Sequence, residues 1–203
     1  DKQLDLVDDG CRRKAVLCPR RAGKTTVILA LALGRCLTRS NYSVLFTAQS
    51  GTKASARFLQ MARDLDRKEP DNDIRGFRIL RGAGNQCVLF ANGSVFQVLT
   101  PKPDAFRGDA ADLIVLDEAQ EHSVEDSADL MGAILPTMDT RPGAQLVVAG
   151  TAGERRSGLF WDALEEGRKG MRGAGIVEFA APDNTTPDEA ANPELWQFAH
   201  PGD

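Results

Sequence analysis

The sequence predicts an α/β domain, a mostly parallel β-sheet flanked by helices, with a β-hairpin inserted along the way. Three observations predict it. Short apolar runs alternate with segments of helical period along the chain. Asn92-Gly93 sits between two stretches of alternating apolar residues, a strong hairpin signal. The chemically interesting polar residues stand where three apolar runs end, after Leu17, Leu116 and Ala149. In parallel sheets, ligands bind at the carboxyl ends of the strands.

The elements follow in order. Residues 15–17 read as a short buried strand that enters a Gly-containing turn at 19–23. Residues 24–37 read as a helix that is apolar on nearly all sides, hence buried. A second strand spans 43–48 and a second helix 52–66, with Phe58, Leu59, Met61, Ala62 and Leu65 near one face. Residues 69–76 are polar, contain Pro70, Asn72 and Gly76, and read as loop. Strands at 86–90 and 94–99 flank the turn Ala91-Asn92-Gly93. The strand 113–116 ends in Asp117-Glu118, and a helix over 124–135 is expected to stop at Pro136. A buried strand at 145–149 ends in Gly150-Thr151, followed by a short helix at 159–166 and a last strand at 175–179. Crossovers between such strands are right-handed. From Ala181 on, Pro, Asn, Asp and Thr dominate. The expected organisation is therefore one domain over 1–180 and a linker or poorly ordered tail over 181–203.

The 203 residues are enough for one core that needs no disulfide or metal. Hydrophobic residues at 42% and charged residues at 27% fit an ordinary soluble globular composition. With 25 basic and 29 acidic residues the net charge is −4, which excludes a cation-coated nucleic-acid binder but allows a local basic patch. The longest apolar run, 27–33, is far short of the roughly 20 residues that cross a membrane. Cys11, Cys18, Cys36 and Cys87 match no zinc spacing and read as reduced thiols. The chain opens Asp1-Lys2-Gln3, without a Met or a signal peptide, and reads as an excised domain.

Cys18-Pro19-Arg20-Arg21-Ala22-Gly23-Lys24-Thr25 follows a strand and opens a helix. It matches the phosphate-loop pattern G-x-x-x-x-G-K-[ST] at its last three positions, with Cys18 in place of the first glycine. Such a loop curls backbone N–H groups around a phosphate at a helix N-terminus, where the dipole favours anions. Gly23 permits close approach, Lys24 reaches the β- and γ-phosphates, and Thr25 offers its hydroxyl to Mg²⁺. Thr26, the next helical residue, is expected to pack. Pro19 removes one N–H from the loop.

Asp117 at its strand tip is expected to hold Mg²⁺ opposite Thr25, and Glu118 to polarise the attacking water. Neighbours on an ideal strand point to opposite faces, so the two roles require the chain to turn here. Glu121 reads as surface charge. Together the motifs describe a RecA-like (ASCE) P-loop NTPase with the hairpin before its acidic strand.

Arg-Arg-Ala-Gly-Lys-Thr, Leu-Asp-Glu-Ala-Gln and the later strand ending Gly150-Thr151 resemble the ATPase domain of a tailed-phage large terminase subunit. The Arg-rich loop without its first glycine, and Phe106-Arg107-Gly108 shortly before the acidic strand, carry most of that specificity. The resemblance covers 3–158 and continues weakly through Asn192-Pro193. It implies an ATP- and Mg²⁺-dependent motor that packages double-stranded DNA into procapsids. The implied setting is a homo-oligomeric ring on the portal, with a small terminase subunit, in the host cytoplasm and away from membranes.

The resemblance also implies residue roles. Arg20 senses or stabilises the γ-phosphate, while Arg21 has no separate assignment within the loop. Arg107 is the candidate arginine finger given to a neighbouring subunit; alternatively it sits in a surface ion pair. Thr151 matches the coupling motif, or else caps its turn. Gln3 resembles the adenine-reading glutamine. Members of this family carry a second, RNase H-like nuclease domain, which these residues do not reach.

Duplex contact needs cations. The clusters are Arg12-Arg13-Lys14, Arg155-Arg156 and Arg168-Lys169 with Arg172, each also readable as a solvated face. Aromatics are not interleaved with them, so base stacking on single strands is unsupported. Two other readings stay open. Asp117-Glu118-Ala119-Gln120 also fits a superfamily 2 helicase motor, although Gly150-Thr151-Ala152 stands where that class carries Ser-Ala-Thr. A non-hydrolysing nucleotide-binding module is disfavoured by the presence of both Lys24 and Glu118.

Overall fold

The apolar runs pair into one sheet. The computed structural model describes residues 10–68, 76–108, 110–153 and 156–200. Its strands are β1 (Arg13–Leu17), β2 (Ser43–Thr47), β3 (Phe77–Leu80), β4 (Cys87–Phe90), β5 (Val95–Val98), β6 (Leu113–Leu116), β7 (Gln145–Gly150) and β8 (Ala174–Glu178). The helices are α1 (Lys24–Thr38), α2 (Gly51–Lys68), α3 (Pro103–Phe106), α4 (Val124–Asp139), α5 (Leu159–Arg168), α6 (Pro187–Ala190) and α7 (Pro193–Ala199). The sheet runs β3-β4-β5-β2-β6-β7-β1-β8. β5 pairs in parallel with β2, β2 with β6, β6 with β7, β7 with β1 and β1 with β8.

Strand alternation splits the core in two. Val16, Val44, Phe46, Val115 and Val147 join Ile28 and Ala32 of α1 and Phe58 and Ala62 of α2 in one cluster. Ala15, Leu17, Ile114, Leu116, Leu146 and Val148 join Leu130 and Ile134 of α4 and Phe160 and Leu164 of α5 in the other. The inner strands are buried along their whole length, which is why they read as continuous apolar runs. No helix among the described residues is long and apolar enough to cross a membrane.

The hairpin forms where predicted, with β4 antiparallel to β5. It is no appendage, because β5 continues the parallel sheet through β2. β3, which the sequence reading leaves unassigned, pairs antiparallel with β4 at the sheet edge. An edge strand has one neighbour and is only partly buried here, so its apolar signal is weak.

The turn does a second job. Asn92 Nδ2 donates to the carbonyls of Cys36 at 2.8 Å, Leu37 at 3.3 Å and Arg39 at 3.0 Å. These are carbonyls at the end of α1 that lack helical partners. Asn92→Ala is expected to cost about 1–3 kcal/mol, because it takes the donor from the Cys36 and Leu37 carbonyls, while Arg39 keeps Ser94 Oγ at 2.6 Å; urea denaturation checks it.

One expectation fails. Pro136 does not end α4, which continues to Asp139. Proline removes one helical bond, but Ile134 and Met138 on either side are buried against the sheet, and Thr137 donates its hydroxyl to the Ile134 carbonyl at 2.6 Å. Burial outweighs the local propensity. The stretch after Ala181, expected as a linker or poorly ordered tail, contains two short helices, α6 and α7. Pro187 and Pro193 are helix-start residues rather than breakers. Thr186 and Glu189 form a capping box, and Asn192 caps α7 by accepting from Glu194 N at 3.0 Å.

Candidate active site

β7 lies between β6 and β1, so three neighbouring strands deliver the loop after Leu17, the end of β7 and the Asp117-Glu118 pair to one edge of the sheet. There a cleft of about 660 Å³ is lined by residues 19–26, by Glu118 and by Thr151.

The loop supplies the anion-facing part. Arg21 has φ 66° and Gly23 φ 79°, while Ala22 between them does not share that sign. Alternating backbone of this kind turns successive N–H groups toward a common point. The loop thus curls without a glycine at position 18. Its turn is closed by Ala22 N donating to the Pro19 carbonyl at 3.4 Å. Cys18 is buried and its N–H donates to the Gly150 carbonyl at 3.2 Å. Burial pushes the Cys18 thiol up to about 11, against the pull of the Lys24 ammonium, so it stays neutral beside the loop. Burial also raises Cys36, to about 12, and Cys87, whereas Cys11 is partly exposed. Alkylation of the folded chain is therefore expected to modify Cys11 first, with the other three following only on unfolding, as peptide mass mapping would show.

Lys24 is buried at the start of α1 and its ammonium donates to Asp117 Oδ1. Thr25 Oγ1 donates to Asp117 Oδ2 at 2.7 Å. Asp117 is fully buried, so it is a carboxylate neutralised on one side by Lys24 and solvated on the other by a hydroxyl. Glu118 adopts φ 56° and ψ 41°, the left-handed region that non-glycine residues rarely occupy. This is the turn that the two carboxylates require. A single 3₁₀ turn, Ala119–Glu121, follows. Glu118 Oε1 lies 3.6 Å from the Lys24 ammonium and 3.7 Å from Arg57 Nη2, and Gln120 Nε2 donates to Glu118 Oε2 at 2.8 Å.

Pro19, Arg20, Arg21, Ala22, Gly23, Lys24, Thr25 and Glu118 line one cleft. Thr151 joins them at the end of β7, and its N–H donates to Gln120 Oε1 at 3.1 Å. Thr26 does not pack: it is exposed and lines the cleft. Glu121 is exposed at the same rim. Arg107 does not join the cleft. It is 72% exposed and pairs at 3.2 Å with Asp104, itself 89% exposed, which is the surface ion pair of the alternative reading. Gln3 lies outside the described residues.

The sequence reading misses a fourth strand end. β2 leads into α2, whose Lys53 and Arg57, one helical turn apart, face the loop across the cleft. That spacing is visible in the sequence, but only the sheet order brings α2 here. Gln120 is also missed.

Most of the basic residues in the three clusters are ion-paired or buried, while Arg172 is exposed. Arg12 pairs with Asp139 at 2.7 Å, Arg13 with Glu166 at 2.6 Å, and Lys14 is fully buried in β1. Arg156 pairs with Asp183 at 3.2 Å, and Arg168 binds Glu178 at 2.5 Å and Asp183 at 3.3 Å. Lys169 pairs with Glu165 at 3.2 Å, and Arg155 lies outside the described residues.

Residues 16–135 match the family model of the terminase large subunit, T4-like-virus type, N-terminal. The chain belongs to this terminase family. No curated protein matches it in sequence. Among solved structures, the terminase fold is shared with the large terminase of bacteriophage HK97, at 18% identity and a TM-score of 0.79. That match covers 98% of this chain and 42% of the HK97 protein, so the chain spans less than half of that relative's length. The large terminase ATPase domain of Thermus phage P74-26 matches at 16% identity and a TM-score of 0.68, over 100% of this chain and 92% of that one. The large terminase of a further thermophilic bacteriophage, solved in complex with ADP, matches at 14% identity and a TM-score of 0.63, over 93% and 48%. These likenesses establish the RecA-like α/β fold of the terminase ATPase domains.

Proposed function

We propose that this chain is the ATP-hydrolysing motor domain of a large terminase, which powers movement of double-stranded viral DNA into a procapsid. One observation carries the reading. A backbone nest and a buried lysine at a helix N-terminus share a cleft with the Glu118 carboxylate, and the adjacent Asp117 lies buried behind it, bound to Lys24 and Thr25. The first set suits a polyphosphate and the second suits a hydrolytic water, and a binding module alone needs no Glu118.

In this reading the N–H groups of the loop and Lys24 hold the β- and γ-phosphates of ATP. Lys24 exchanges part of its pairing with Asp117 for the phosphate oxygens. The donor set fits magnesium: one hydroxyl and one carboxylate, 2.7 Å apart, are the sparse protein share that ion takes when phosphates supply the rest. Thr25 and Asp117 would hold it, and it would neutralise charge on the phosphates. Glu118 accepts a proton from the attacking water. Arg20, exposed on the cleft wall, is suited to the γ-phosphate, and Thr151 reports its loss to the segment leading into α5.

Arg107 stands outside its own cleft, which supports action on a neighbouring copy in a ring. The ring on the portal, the small terminase subunit and the host cytoplasm belong to the same proposal. So does a continuation beyond residues 181–203 into a nuclease domain. DNA contact is assigned to no described cluster, since most of the cations named above are ion-paired within the chain or buried.

Steady-state ATP hydrolysis over a protein-concentration series, with Arg107→Ala alongside, tests the ring. Specific activity is expected to rise with concentration in the wild type alone, because a trans finger is worth roughly 10³–10⁵ in rate. A flat profile shared by both proteins would return Arg107 to a structural role.

A further inference from the structure

Gln120 has one side-chain amide between unlike neighbours, a backbone N–H on one side and the carboxylates of Glu118 and, at 3.3 Å, Glu121 on the other. Thr151 N–H donates to its Oε1 at 3.1 Å, and its Nε2 donates to Glu118 Oε2 at 2.8 Å. A backbone N–H only donates and a carboxylate only accepts, so the orientation of the amide is fixed from both ends. Turned over, it would set donor against donor and acceptor against acceptor.

The other carboxylate oxygen, Oε1, faces Lys24 and Arg57 across the cleft. One oxygen of Glu118 is therefore held and the other is presented. The bridge is also tightly seated. A Cβ on Gly150 would stand 2.5 Å from Gln120 Oε1 and 2.8 Å from the Phe160 ring, so only glycine lets the amide lie against the end of β7. Glu118 sits in left-handed backbone, an orientation that local preference does not supply and that an external partner must hold.

We propose that Gln120 is a positioning residue that ties the Glu118 carboxylate to the backbone at the end of β7, so that the water-activating group and the Thr151 segment move as one unit. The inference rests on the hydrolytic reading above and assigns it a mechanical link. A Gln120 that merely satisfied local polar groups would have no effect on hydrolysis once folding was preserved.

Two variants separate its two arms. Gln120→Ala removes the bonds to Glu118 and Thr151, together with the longer one to Glu121. Gln120→Glu keeps an acceptor for Thr151 N–H but replaces the donor to Glu118 with a second negative charge. For each, the 203-residue chain would be assayed for Mg²⁺-ATP affinity, single-turnover hydrolysis, and amide exchange at Thr151 by NMR. Gln120→Ala is expected to slow hydrolysis about tenfold or more with affinity held within about threefold, since the loss falls on an oriented catalytic group and not on phosphate binding. Its Thr151 amide is expected to exchange about tenfold faster. Gln120→Glu is expected to slow hydrolysis equally while Thr151 exchanges as in the wild type.

Wild-type hydrolysis in either variant would overturn the link, as would unchanged Thr151 exchange in Gln120→Ala. If the wild type hydrolyses ATP and the variants match it, only the role of Gln120 falls. If the wild type neither binds nor hydrolyses ATP, the hydrolytic reading falls and takes this inference with it.

Discussion

Lys24→Ala is expected to damage the chain in two separable ways, lowering its stability by about 3–5 kcal/mol and abolishing nucleotide binding. The side chain of Lys24 is 5% exposed and that of Asp117 is 0% exposed. Removing the ammonium leaves a buried carboxylate whose remaining side-chain partner is the Thr25 hydroxyl. An exposed lysine at a helix start would produce no such loss. Guanidinium denaturation measures the first effect and a fluorescent-nucleotide titration the second. The double variant Lys24→Ala with Asp117→Asn separates them. It removes the orphaned charge, so most of the stability returns, while nucleotide binding stays lost for want of the ammonium. If the single variant is as stable as the wild type, the pair is not buried as described.

Glu118→Gln is expected to reduce ATP turnover by about 10²–10⁴ while leaving nucleotide affinity within a few-fold of wild type. The substitution keeps shape, backbone conformation and the ability to accept from Gln120 Nε2. It removes the proton acceptor. Glu118 is only partly buried, and its contacts with Lys24 and Arg57 are long, at 3.6 and 3.7 Å, so stability should change little. The pair of variants thus gives opposite signatures. Lys24→Ala fails at binding and stability, and Glu118→Gln fails at chemistry alone.

Much of this site is legible in the sequence because its parts are local. The loop at 18–25 and the Asp117-Glu118 pair each lie in a few consecutive residues, and each follows an apolar strand that fixes its place at the sheet edge. The Asn92-Gly93 turn is legible for the same reason. What escapes is what depends on strand order. Arg57 and Lys53 enter the cleft only because β2 neighbours β6, and Gln120 meets Thr151 only because β7 neighbours β6. The fate of the basic residues is hidden too. Lys14 looks like part of a cationic surface, yet it is carried into the interior by its place in β1. Pro136 and the prolines of α6 and α7 mislead because a proline carries opposite meanings at different helix positions, and burial decides between them.

The proposed function stands on hydrolysis of bound ATP through Glu118. Its most direct test is a single-turnover experiment with the wild type and Glu118→Gln, quenched at intervals and analysed for bound ATP and ADP. The wild type is expected to convert bound ATP to ADP, while Glu118→Gln retains it unconverted at a similar affinity. Conversion at the same rate in both proteins would contradict it.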